Sequence, residues 1–122
     1  MEITPKRITE LRPDEVFVFG SNASGAHGGG AALIAHQRFG AVWGEGHGHH
    51  GQTYAIDTMS GLDTLAVEAG VFLDYARAHP ELRFLLTPVG CGIAGYTPEQ
   101  VAPYFRAAPA NVTMPDAFVR YL

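Results

Sequence analysis

The sequence predicts an α/β fold with a largely parallel, helix-covered sheet, on three observations. Short runs of β-branched and aromatic residues alternate with helix-favouring segments. Two glycine-rich loops each follow such a run and lead into a helix. Hydrophobic residues make up 47% of the 122 and charged residues 16%, enough for one buried core and a single domain over residues 1–122.

In chain order, EVFVF (15–19) reads as a buried strand ending at Gly20. After glycines at 25 and 28–30, AALIAHQRF (31–39) favours helix throughout, and Gly40 stands where a C-cap glycine belongs. Ala41–Trp43 is short and apolar enough for a brief strand, whereas GEGHGHHGQ (44–52) is too rich in glycine for regular structure. TYAI (53–56) is a further strand. Ser60 or Asp63 caps a helix running through Ala78, with Leu65, Ala69, Phe72 and Ala76 on its apolar face and Pro80 enforcing the stop.

LRFLLT (82–87) is a continuous apolar run, the pattern of a strand covered on both faces. The loop PVGCGIAGY (88–96) follows. Thr97, Pro98 and Gln100 then form a capping box with proline at N1, and Pro103 keeps that helix short or kinked. NVTM (111–114) closes the pattern as a final strand.

Net charge is −4 with eight Lys and Arg and no basic stripe, which argues against DNA or RNA polymers as partners. One cysteine, Cys91, rules out an internal disulfide framework and suits a reducing compartment. The first residues hold no apolar leader-like segment, and no apolar run approaches the ~18 residues a membrane span needs. A cytoplasmic domain with no membrane partner is expected.

In open α/β sheets, ligands bind beyond the carboxyl ends of the strands, where both glycine loops fall. Glycine lets the backbone approach a ligand closely, and a helix start supplies aimed N–H donors. No Lys or Arg lies between Arg12 and Arg38 or between Arg83 and Arg106, so backbone amides must carry any phosphate bound there. Neither loop matches the G-x-x-x-x-G-K-[ST] or G-x-G-x-x-G nucleotide motifs.

VFVFGSNASGAHGGGAALIAHQRFG (16–40) resembles the first signature of macro domains: a strand ending in asparagine, a spacer, a glycine cluster and a helix. TPVGCGIAGY (87–96) resembles that family's second phosphate loop, with Cys91, Gly92, Ile93, Ala94, Gly95 and Tyr96 at its positions. The chain looks closest to a phage-like macro branch, and its GCG loop is also similar to that of the terminal ADP-ribose hydrolase branch. The resemblance implies a three-layer α/β/α domain with a central mixed, mostly parallel sheet. It implies binding of ADP-ribose or a related nucleotide diphosphate, free or on an ADP-ribosylated macromolecule. Its ligand contacts would come from Gly20, Ser21, Asn22, His27 and Gly28, Gly29, Gly30 in the first loop. Gly90, Cys91, Gly92, Ile93, Ala94, Gly95 and Tyr96 would supply those of the second, with Tyr96 beside the distal ribose. No cofactor or metal is implied.

The departures bear on chemistry. Arg7 stands where relatives keep an aspartate that reads adenine, and Ala32 and Ala94 stand where hydrolytic branches keep their acids. Two residues remain for an enzymatic reading: Asn22, to orient a ribose hydroxyl or a water, and Asp57, as general base at the same sheet edge. Asn22 can equally bond its own turn. Glu45 is a weaker base candidate. Cys91 is either a nucleophile activated by His27 or His47, or a small side chain in a tight loop. His47, His49 and His50 lack the partners of a zinc site and read as a lid. Three functions follow: a binding module, a hydrolase removing ADP-ribosyl groups, and an interaction domain without ligand.

Overall fold

The computed structural model describes residues 2–122. Six strands form one mixed sheet: β1 (Ile3–Thr4), β2 (Glu15–Ser21), β3 (Gly48–His50), β4 (Thr53–Asp57), β5 (Arg83–Leu86) and β6 (Val112–Pro115). Their order is β1-β6-β5-β2-β4-β3, with every pairing parallel except β3 with β4. The expected α/β class with a mixed, mostly parallel sheet is what the chain adopts.

Alternation along β2 sets up the layers. Val16 and Val18 point to one face, where they pack with Leu65, Ala69 and Phe72 of α2 (Leu62–Ala78). The same cluster takes in Val101 of α3 (Pro98–Val101), Phe105 of the 3₁₀ turn after it, and Phe118 of α4 (Asp116–Val119). Phe17 and Phe19 point to the opposite face, against Ala32, Ala35 and Phe39. Those last residues lie on α1 (Gly30–Ile34) and the wider π-helical turn that continues it over Ala35–Phe39. Helices thus cover both faces, thickly on one side and thinly on the other.

Several elements form as their residues dictate. Thr97 caps α3 through a reciprocal box with Gln100, and Pro98 sits at the helix start where no N–H is needed. The α2 helix ends at Ala78 ahead of Pro80. Its N-cap is Gly61, without a side-chain cap bond, in place of Ser60 or Asp63. Ser60 is instead drawn to Asp57.

Two expectations fail at the sheet edge. Ala41–Trp43 is not a strand, because its backbone groups are tied into turns: Ala41 N–H donates to Ala35, and Val42 C=O accepts from Glu45 N–H and His27 Nε2. The edge strand is Gly48–His50, inside the segment whose glycines argued against regular structure. Antiparallel pairing with β4 and a turn at Gly51-Gln52 stabilise it there.

Candidate functional site

β2 and β4 end level with each other at Ser21 and Asp57, β5 ends lower, opposite Val18, and the residue after β4 and after β5 is a threonine bonded back to β2. Thr58 donates from both its N–H and its Oγ1 to Ser21 C=O, and Thr87 does the same to Val18 C=O. Above this floor lies a cleft of about 650 Å³, walled by Gly20–Asn22, Gly28–Gly30 and Gly90–Ala94. Ala26, Ala31, Ala32, Thr58, Met59, Thr87, Pro88 and Val89 complete it. None of these residues is Asp, Glu, His, Lys or Arg, so any charge on a ligand must meet backbone dipoles.

Asn22 shapes the first loop. Its Oδ1 accepts from Ala26 N–H at 3.0 Å and Ser24 Oγ at 2.8 Å, and its Nδ2 donates to Ala26 C=O at 2.9 Å. The loop is therefore wound around the asparagine, which also borders the cleft. Beyond it, α1 begins at Gly30, and the N–H groups of Gly30, Ala31 and Ala32 are those a helix leaves without an intrahelical acceptor.

The second loop is folded on itself. Cys91 N–H donates to Pro88 C=O, Gly95 N–H to Gly92 C=O and Tyr96 N–H to Gly90 C=O. Gly90 requires its missing side chain: φ is +80°, and a Cβ would stand 3.3 Å from Leu65 and 3.4 Å from Tyr96 and Val101. Gly92 is different. It has ordinary φ, and a Cβ there would meet nothing within 4 Å. The same holds at Gly29, and at Gly28 the nearest atom is Trp43 at 4.0 Å. These three glycines are not required by the fold around them, yet all line the cleft.

Ser21 adds a polar feature. Its hydroxyl is buried, with 3% of the residue exposed, and it has no hydrogen-bond partner while the residue lines the cleft. A buried hydroxyl without a partner loses the stabilisation that water or a ligand would provide. Nothing in the sequence singled out the floor threonines Thr58 and Thr87. A threonine directly after each of two strands was the available signal.

Other expected site residues lie elsewhere. His27 is fully buried beneath the loop, with Nε2 2.9 Å from Val42 C=O and its ring against Phe19, His36 and Trp43, and it does not line the cleft. Gly95 and Tyr96 also stand outside the lining, and Tyr96 packs against the α2-side core. Asp57 is buried, and its carboxylate accepts from Met59 N–H at 2.9 Å and Ser60 Oγ at 2.5 Å, holding the turn that carries Thr58 and Met59. Cys91 lines the cleft, but burial pushes its thiol above the ordinary range, opposing the thiolate a nucleophile needs.

The histidine segment has a structural part. Gly44 N–H donates to Gly25 C=O, and a Cβ on Gly46 would fall 1.9 Å from Asn22 C=O, so this backbone lies directly against the first loop. His47 Nδ1 meets Glu68 Oε1 at 2.6 Å, and the same oxygen accepts Asp57 N–H at 3.1 Å. His49 Nδ1 meets Tyr75 Oη at 2.5 Å, and His50 Nε2 lies 2.9 Å from His47 C=O. The three histidines diverge to different partners: His47 and His49 anchor the segment to α2, and His50 closes it on itself.

Fold and site together define an α/β domain with an uncharged, glycine-lined cleft at the carboxyl ends of its parallel strands. No protein-family model matches the chain, and it has no match among curated proteins or solved structures. No helix of the described residues is long and apolar enough to cross a membrane.

Proposed function

We propose that the chain is a macro-like domain that binds ADP-ribose or a related nucleotide diphosphate, free or attached to a macromolecule, between its two glycine loops. The observation that carries this reading is the trio Gly28, Gly29 and Gly92. Each lines the cleft at a point where the fold has room for a Cβ and the ligand would not. The unpartnered Ser21 hydroxyl and the free amides at the start of α1 supply donors for phosphate or ribose oxygens. The resemblance of both loops to macro-domain signatures supports the choice of ligand.

Binding is favoured over hydrolysis, since no carboxylate or imidazole lines the cleft and Asp57 is engaged in its own turn. An open cleft also speaks for a ligand rather than a domain that has lost one. A lone cysteine held as a thiol fits a cytoplasmic setting.

Titration calorimetry with ADP-ribose, ADP, NAD and ribose 5-phosphate tests this. ADP-ribose should bind most tightly. Gly28→Ala and Gly92→Ala should each weaken it by about tenfold or more, equivalent to ~1.4 kcal/mol. Their unliganded unfolding midpoints should stay within about 2 °C of the parent. No heat at millimolar ligand would refute the proposal.

A further inference from the structure

A second cavity of about 640 Å³ adjoins the glycine cleft, and the two share Gly30, Ala31, Thr87 and Pro88 in their walls. It lies on the thinly covered face of the sheet, bounded by the segment after β1, the α1 turn and the start of α4. Its character is opposite to that of the cleft. Lys6, Arg7 and Arg38 line it, so three of the chain's eight cations gather at one hollow of a molecule whose net charge is −4. Asp116 is the single acid in the lining, leaving the cavity with a positive excess. Among the described residues none of the three cations forms an ion pair or a side-chain hydrogen bond. The apolar surfaces of Ile8, Phe17 and Ile34 line the same cavity.

Unpaired cations around a concave apolar wall suit a flat ring bearing an anionic substituent, with guanidinium groups matching phosphate oxygens in forked geometry. The shared wall makes the two hollows compartments for one extended molecule. We infer that this cavity takes the nucleoside end of the ligand, and that its cations select a nucleoside carrying an additional phosphate on its ribose. The inference rests on the diphosphate reading of the glycine cleft and adds a substrate class to it. Similar chemistry separates dinucleotides elsewhere, where an acid reads a free 2′-hydroxyl and an arginine a 2′-phosphate.

Calorimetry with the full chain would compare ADP-ribose with ADP-ribose 2′-phosphate. The phosphorylated compound should bind at least tenfold more tightly at low salt, with the ratio shrinking as ionic strength rises. Arg7→Ala and Arg38→Ala should each bring the ratio toward one. Equal or weaker binding of the phosphorylated compound, with ADP-ribose still bound, overturns the selectivity and leaves the glycine-cleft reading intact. A second measurement reads the cavity without the diphosphate. Inorganic phosphate followed by amide chemical shifts should move residues 6–9 and 38, and move them less in Arg7→Ala. Silence there overturns the anion site even if ADP-ribose binds. A response there with no ADP-ribose binding removes the diphosphate reading instead.

Discussion

Ser21 and Asn22 are neighbours with opposite parts in the site. Ser21 has no internal hydrogen bond to lose, so Ser21→Ala should leave the unfolding midpoint unchanged or slightly higher while weakening ligand affinity about fivefold. Asn22 makes three hydrogen bonds within its loop, and Asn22→Ala leaves the Ala26 N–H and C=O without their partner. That change should cost about 1–3 kcal/mol in urea unfolding as well as affinity. Calorimetry paired with denaturation separates the two residues, since one loses function alone and the other loses both. If Ser21→Ala destabilised the chain by as much as Asn22→Ala, the hydroxyl would be structural. Asp57 belongs with Asn22 here: its carboxylate organises a turn, as the distances to Met59 and Ser60 show.

Among the elements, the segment from Gly44 to His50 changed most in meaning. Its glycines look like loop filler in the sequence, yet Gly46 permits a backbone approach to Asn22 that no side chain allows. Gly46→Ala should therefore displace the first glycine loop, costing about 2–3 kcal/mol and most ligand affinity. Gly92→Ala, facing open cleft, should be silent in stability. Circular dichroism melts of the two variants check the contrast directly. The same segment shows where sequence reading stops. Strands β2, β4, β5 and β6 were legible because buried parallel strands are apolar along their length. The edge strand β3 was hidden because its stability comes from pairing with β4 and from histidines held by α2, none of which has a local signature. Both glycine loops were legible because each follows an apolar strand and leads into a helix, the place where α/β sheets bind ligands. His27 stands beside Gly28 in the sequence, which points it to the ligand, and only the packing of Phe19, His36 and Trp43 reveals it as core. Two-residue β1 was too short to leave any periodicity.

At the scale of the molecule, the α2-side core has an alkaline weakness. Burial, reinforced by Glu68 and Tyr75, pushes the Tyr54 hydroxyl from 10.0 up to about 12. The folded chain thus holds that proton more tightly than the unfolded chain does. The resulting stabilisation is whole below pH 10 and is lost as pH climbs through the folded value near 12. Urea midpoints of the parent should fall steeply over that window, and Tyr54→Phe should flatten the fall. A variant that followed the parent profile would show that other groups govern alkaline unfolding.

The pairing of β1 with β6 also has a consequence for the order of synthesis. Thr4 Oγ1 and Thr113 Oγ1 lie 2.7 Å apart, so residues 109 positions apart in the chain complete the sheet together. Pro5–Thr9 after β1 and Pro115–Ala117 at the end of β6 both line the basic cavity. A chain still emerging from the ribosome can assemble β2, β4 and β5, and with them the glycine cleft. Its cationic neighbour closes later, only when residues 115–117 have been made and can reach back to residues 5–9.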